Sequence, residues 1–218
     1  MALYLETLPI HSQKVLAKLK SLIKAHRFVL AGGTGLALQI GHRISEDLDF
    51  FTEQNFPTDE LFKKIKGKKL SPMVLQEEKG TLTVTADEVK ISFLHYAYPF
   101  KEKMTDLEGV PVAGIIDIAS MKIIAISQRG AKRDFVDLYA VMQTVPFWKI
   151  AESMIERFGK DRVNPIHIGK SLVYFNDADI DPEPRYLGHN KLEWNTVKKF
   201  FKKHVQQMVM DLDQASRK

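Results

Sequence analysis

Cysteine is missing altogether from this 218-residue chain. Its absence excludes disulfides, thiolate metal sites and a cysteine nucleophile. Long apolar runs are missing too: none approaches the ~18 residues of a membrane span, so no membrane partner is expected. The opening stretch MALYLETLPIHSQ has neither a basic n-region nor a small-residue cleavage site, and so does not read as a secretory leader. With no disulfides and no export signal, the expected compartment is the cytoplasm. The seven histidines show no HxxxH or HxH spacing, which argues against zinc. A G-x-S-x-G nucleophile signature, a Walker A loop and a G-x-G-x-x-G turn are likewise absent.

What is present suits a globular chain. Apolar residues make up 44% and charged residues 27%, both ordinary for such proteins. The length fits one domain or two lobes, on a prior of roughly 100–200 residues each. A formal net charge of +5 is compatible with an anionic partner such as nucleic acid or a nucleotide phosphate, and equally with solubility alone.

Periodicity places the elements. Val15, Leu16, Leu19, Leu22 and Ile23 recur at helical spacing and predict a helix over 12–26, with Ser12 as its cap. Residues 28–31 read as a short buried strand. Gly32-Gly33 end it and a helix follows. Residues 48–51 read as a second strand. A helix over 58–66 starts after Pro57. Residues 79–85 and 89–96 alternate as two antiparallel strands about an Asp87-Glu88 turn. A strand over 110–115 and helices over 116–129 and 135–143 complete an α+β core, a small mixed sheet with helices on it. From about residue 146 the strand signals stop. The expected division is therefore a core over 1–145 and a helical region over 146–218, with helices at 147–158, 164–175 and 192–212 and an acidic, proline-containing loop at 177–184.

Three constellations offer chemistry. Gly32-Gly33-Thr34, between a strand and a helix, puts free amides and a hydroxyl at a helix N-terminus, a natural anion site; a tight turn without a ligand explains the same residues. Asp47 and Asp49 lie about 7 Å apart on one strand face. Hard oxygen ligands of this kind suit Mg²⁺, and exposed acids on an edge strand are the alternative. Lys122 and Arg129, two helical turns apart, would hold phosphates in a cleft or lie on a solvated face. Asp134 fits the first turn of the next helix, and Asp137 would pair with Arg129 or Lys122. Lys198, Lys199, Lys202 and Lys203 suit a nucleic-acid backbone or, again, a solvated helix face.

Two blocks, GGTGLALQIGHRISEDLDFF over 32–51 and DIASMKIIAISQRGAKRDFVDLY over 117–139, resemble the nucleotidyltransferase AbiEii/AbiGii toxin family, a branch of the polymerase-β-like nucleotidyltransferases. The resemblance implies that Gly32, Gly33 and Thr34 cradle the triphosphate of an NTP and that Ser45 braces the turn before the acids. Asp47 and Asp49 would hold Mg²⁺ or Mn²⁺. Lys122 and Arg129 would touch phosphates or base, and Asp134 and Asp137 would form the last acidic motif, with Asp134 counted among the catalytic residues. It also implies an RNA acceptor (a tRNA end) or a protein acceptor, and an antitoxin partner in a toxin–antitoxin or phage-defence pair. One departure stands out. The superfamily's third strand carboxylate would fall within VKISFLHY, where the central residue is Ser92. A nucleotide- or nucleic-acid-binding protein with impaired catalysis is the alternative this departure raises.

Overall fold

A computed structural model describes residues 3–188 and 191–218; Met1, Ala2, His189 and Asn190 lie outside it. The chain divides into two compact units. The first holds the chain up to Pro99 together with Lys103–Ala113; the second holds Phe100–Glu102 and Gly114–Lys218.

The first unit is built on a seven-stranded mixed sheet. Its strands are β1 (Val29–Leu30), β2 (Leu48–Thr52), β3 (Met73–Glu78), β4 (Thr81–Ala86), β5 (Val89–His95), β6 (Thr105–Leu107) and β7 (Val110–Val112). Their order is β3-β4-β5-β2-β1-β7-β6. The β2–β5 and β1–β7 pairs run parallel and the others antiparallel. Helices α1 (Ile10–Ala25), α2 (Gly32–Ile40) and α3 (Thr58–Lys66) accompany it. Alternation decides the core face. Leu48 and Phe50 of β2, Ile91 and Phe93 of β5 and Leu82 and Val84 of β4 join Val15, Leu19 and Ile23 of α1 and Leu61 and Ile65 of α3 in one apolar cluster. Phe28, Phe50 and Phe93 meet at its centre, with ring centroids 5.0–6.4 Å apart. Each such ring contributes about 1.5–3 kcal/mol by burial. The residues between them, Asp49 on β2 and Ser92 on β5, therefore point to the other face.

Two local expectations change. Ser12 does not cap α1: the helix starts at Ile10 behind Pro9, and the Ser12 hydroxyl donates instead to the carbonyl of Glu46 at 3.0 Å. Gly32-Gly33 do not precede the second helix but form its first turn.

The second unit is helical: α4 (Ile115–Arg129), α5 (Lys132–Met142), α6 (Phe147–Phe158), α7 (Pro165–Leu172), α8 (Asn176–Ile180) and α9 (Trp194–Ser216). Its continuous stretch runs from Gly114, ahead of the strand-poor stretch read from about 146, because α4 packs against α6 and α7, and α5 against α9. Phe135, Phe175, Trp194 and Phe201 pack together there, Phe135 meeting Trp194 and Phe201, and Phe175 meeting Trp194, edge to face. Asn164 caps α7, its side chain accepting from the His167 amide at 2.9 Å. The segment expected to be a plain acidic loop contains α8, and its tail has work of its own. Asp181 accepts from the Lys132 amide at 2.9 Å and so closes the start of α5. Glu183 pairs with the nearly buried Lys132 ammonium at 2.9 Å. Of the α9 lysines, Lys198 bonds Asp179 at 2.8 Å. The Lys198 ammonium and the Trp194 indole N–H hold the Asp179 carboxyl below its ordinary range. Among the described residues, no helix is long and apolar enough to cross a membrane.

Candidate active site

The first unit gathers the glycine turn and the acid pair. Antiparallel pairing of β1 with β2 continues one residue past Leu30, where the Ala31 amide donates to the Asp49 carbonyl at 3.0 Å. That ladder lays the first residue of α2 alongside Asp49. Gly32 has φ +62°, and a Cβ there would stand 2.5 Å from Asp49 Oδ2. A side chain at this position would meet both backbone strain and a carboxylate. Gly32→Ala is expected to destabilise the protein by about 1–3 kcal/mol and to displace Asp49; a denaturant titration showing an unchanged midpoint would refute this.

Burial alternates through the acids: Asp47, Asp49 and Phe51 are half-buried, whereas Leu48 and Phe50 are fully buried. Asp47 and Asp49 thus share the face away from the core. The loop leading to them is fastened from three sides. The Ser45 amide donates to the Thr7 carbonyl at 2.9 Å. Ser12 holds the Glu46 carbonyl. The Thr34 hydroxyl donates to the Asp47 carbonyl and lies 2.9 Å from Ser45 Oγ. Thr34 is 1% exposed, so its hydroxyl braces the loop internally and is not turned towards solvent. Ser45 shares that brace.

One residue of this site was not singled out in the sequence. A Cβ on Gly33 would collide with Arg43 Nη2 and come within 3.1 Å of Ser45 Oγ. Arg43 is buried, and its Nη1 donates to the Ile44 carbonyl at 3.1 Å. The second glycine therefore makes room for a guanidinium against the first turn of α2. The signal in the sequence was an isolated Arg between the two motifs, in HRIS.

Parallel pairing sets Ser92 of β5 directly beside Asp49 of β2, and Thr83 of β4 beside Ser92. Ser92 is buried. The neighbour of Asp49 on the next strand is thus a neutral hydroxyl. Among the described residues, no group of three or more His, Cys, Asp or Glu side chains is arranged to hold a metal ion.

Lys122, Arg129, Asp134 and Asp137 come together in the second unit. Lys122 Nζ lies 2.7 Å from Asp134 Oδ1 and 2.6 Å from Asp137 Oδ2, with the lysine side chain 7% exposed and both carboxylates fully buried. Arg129, 54% exposed, reaches Asp134 Oδ2 at 2.8 Å through Nη2 and at 2.9 Å through Nε. The two cations on α4 are therefore both turned towards acids on α5, and Asp137 pairs with Lys122.

A short strand, a helix that starts on glycines and an acid pair at the start of β2 thus stand together on a mixed sheet. The fold is similar to that of a candidate nucleotidyltransferase from H. pylori (TM-score 0.58, 18% identity, covering 94% of this chain and 96% of that one). It is also similar to MenT4, a nucleotidyltransferase toxin from Mycobacterium tuberculosis H37Rv (TM-score 0.54, 15% identity, 93% of each chain). The sequence is 39% identical over 208 residues to an uncharacterized protein of Aquifex aeolicus, spanning 89% of this chain and 94% of that one. Residues 14–215 match the model of the nucleotidyl transferase AbiEii toxin family, of type IV toxin–antitoxin systems, and the chain belongs to that family.

Proposed function

We propose that the protein is a Mg²⁺-dependent nucleotidyltransferase that moves a nucleoside monophosphate from an NTP to a hydroxyl of an RNA, with a tRNA end as the favoured acceptor, and acts as the toxin of a pair with an antitoxin. The observation that carries this reading is the meeting of Asp49 with Gly32 and of Arg43 with Gly33 at the start of α2.

The donor set fits the metal. Two half-buried carboxylates on one face supply hard oxygens, and Mg²⁺ commonly takes one or two carboxylates and completes its shell with water and phosphate oxygens. With no third acid beside Asp49, the metal is expected to bind together with its nucleotide. Held by Asp47 and Asp49, it would supply neutralisation of the phosphate charge. The protein's share is positional. The loop that carries Asp47 is held by the Thr34, Ser12 and Thr7 tethers, and the Ala31 amide holds the Asp49 carbonyl. The amides of the first turn of α2 and the Arg43 guanidinium form a positive margin for the triphosphate. The acceptor oxygen bonds to the α-phosphorus, the bond to the β-phosphate oxygen breaks, and pyrophosphate leaves. With Ser92 in place of a third carboxylate, the acceptor proton passes to water or to a phosphate oxygen. In the second unit, Lys122, Asp134 and Asp137 fix α4 to α5, and the exposed face of Arg129 is the part suited to an anionic substrate.

Incubation with labelled NTP, total RNA and Mg²⁺ tests the activity. Label on RNA with the wild type and none with an Asp47/Asp49 variant supports it. Ser92 favours a second reading, a nucleotide-binding protein with impaired catalysis; NTP-dependent stabilisation without any transfer would select that one.

Ser92→Asp offers a separate check. A new carboxylate in a buried place beside Asp49 is expected to cost about 1–3 kcal/mol without metal. Melting with and without Mg²⁺ should then show a larger Mg²⁺-induced rise in Tm for the variant than for the wild type. Equal rises would count against a metal at this carboxylate.

A further inference from the structure

Helix α9 buries Val197, Phe201, Met208 and Leu212 on one side. Its other side is exposed: Thr196, Lys199, Lys203, Gln206 and Met210 recur there at three- and four-residue steps, with Lys202 beside them. Between residues 195 and 210 there is no Asp or Glu. Lysines at such spacings are neighbours, and like charges so placed destabilise a helix. Elsewhere this protein answers a helical cation with an acid one turn away. Asp59 meets Lys63 on α3, and Asp213 meets Arg217 at the far end of α9 itself. Lys198 has Asp179. Among the described residues, Lys199, Lys202 and Lys203 have no acid at ion-pairing distance. The Lys202 ammonium lies 5.9 Å from the centre of the Phe175 ring, a contact that places the charge without neutralising it. A face kept only for solvation alternates the signs of its charges. This one carries a single sign, flanked by the hydroxyl of Thr196 and the amide of Gln206, and so complements a polyanion.

We propose that this face of α9 holds the sugar–phosphate backbone of RNA. The proposal rests on the RNA acceptor argued above, and it gives that RNA a footing on the helical unit, whereas the acid pair belongs to the first unit. Three ammoniums on neighbouring turns take phosphates as point charges. Thr196 and Gln206 donate to phosphate or 2′-hydroxyl oxygens. Contacts of this kind position an RNA without reading its bases, so binding here is indifferent to sequence.

Fluorescence anisotropy of a labelled RNA hairpin, with the full chain and no NTP, over a salt series tests the site. The wild type should bind, with an affinity that falls steeply as salt rises. Lys199→Gln with Lys202→Gln and Lys203→Gln removes three phosphate contacts. Affinity at about 0.1 M salt should then fall about a hundredfold, and the salt slope should become shallower by about two. Glutamine is a good helix former and the repulsion is gone, so Tm should hold or rise. Lys63→Gln with Lys64→Gln and Lys66→Gln takes the same charge from α3, where all three are exposed, and should weaken binding far less. Asp47→Asn with Asp49→Asn should bind the hairpin at least as tightly as the wild type. Hairpin binding through the three lysines without nucleotide transfer removes the transferase reading and leaves this site standing; transfer together with hairpin binding indifferent to the lysines does the reverse. The proposal falls if the wild type does not bind the hairpin at low salt, if the α9 variant binds it equally well, or if the α3 variant loses as much. It falls also if polyglutamate of matched charge displaces the hairpin as effectively as unlabelled RNA, which would assign the face to an acidic protein.

Discussion

Asp47→Asn with Asp49→Asn is expected to leave the protein folded and to remove nucleotide transfer, with a loss on the order of 10²–10³ or more, the usual scale when charge stabilisation of a transition state is removed. Both side chains are half-buried and share a face with no other carboxylate beside Asp49 on β5. Neutralising them relieves repulsion between like charges, so Tm should stay level or rise. A fold that holds while chemistry disappears is the signature of residues kept for the reaction. Transfer that survives the double substitution, measured as label on RNA, would remove the acid pair from the mechanism. The asparagine form tests the charge and not the space, because it keeps the size of the side chain against Gly32.

The second large effect is expected at Lys122. Its ammonium sits between Asp134 and Asp137, both fully buried. Lys122→Met fills the same space and leaves two buried carboxylates near each other with one cation fewer. Breaking a buried pair in this way costs about 3–5 kcal/mol. At about 2–4 °C per kcal/mol for a chain of this size, the drop should be on the order of 10 °C in the transition that reports the second unit. Adding Asp134→Asn and Asp137→Asn should recover part of the loss, because the stranded charges go with the lysine. Arg129 still meets Asp134 from the half-exposed side, so Asp137→Asn should recover more than Asp134→Asn. Calorimetry on the four variants decides the matter. Equal melting of Lys122→Met and wild type would mean that the cluster is not a structural tie.

Much of this molecule was legible in its sequence where one face is buried. The helices at 58–66 and 147–158 match α3 and α6 to the residue, because apolar spacing and a preceding proline mark both. The Asp87-Glu88 turn was legible for the same reason: two alternating strands flank it, and both residues take positive φ. Strand β3 was not legible. All its side chains are exposed, so no alternation records which side faces the core. Strand β6 is three residues long, too short for any period. Ser12 has the chemistry of a cap, and only the fold reveals that the Glu46 carbonyl claims it. The acid pair and the glycines announced themselves by spacing. The buried state of Lys122 did not, since a lysine between Met121 and Ile123 on a helix reads as a solvated residue until α5 supplies its acids.

The division of the chain has a practical corollary for anyone who would cut it. Phe100–Glu102 belong with the helical unit although the chain returns afterwards to build β6 and β7. Their stay is fastened by side chains: Asp117 accepts from the amides of Lys101 and Glu102 at 2.9 Å each, and Glu102 accepts from the Ile116 amide at 2.6 Å. A fragment ending at Pro99 would lack β7 and leave β1 without its parallel neighbour. One ending at Ala113 would carry a loop whose anchors had been removed. No single scissile point yields two whole halves, so a split or truncated form of this protein leaves one unit incomplete wherever the chain is cut.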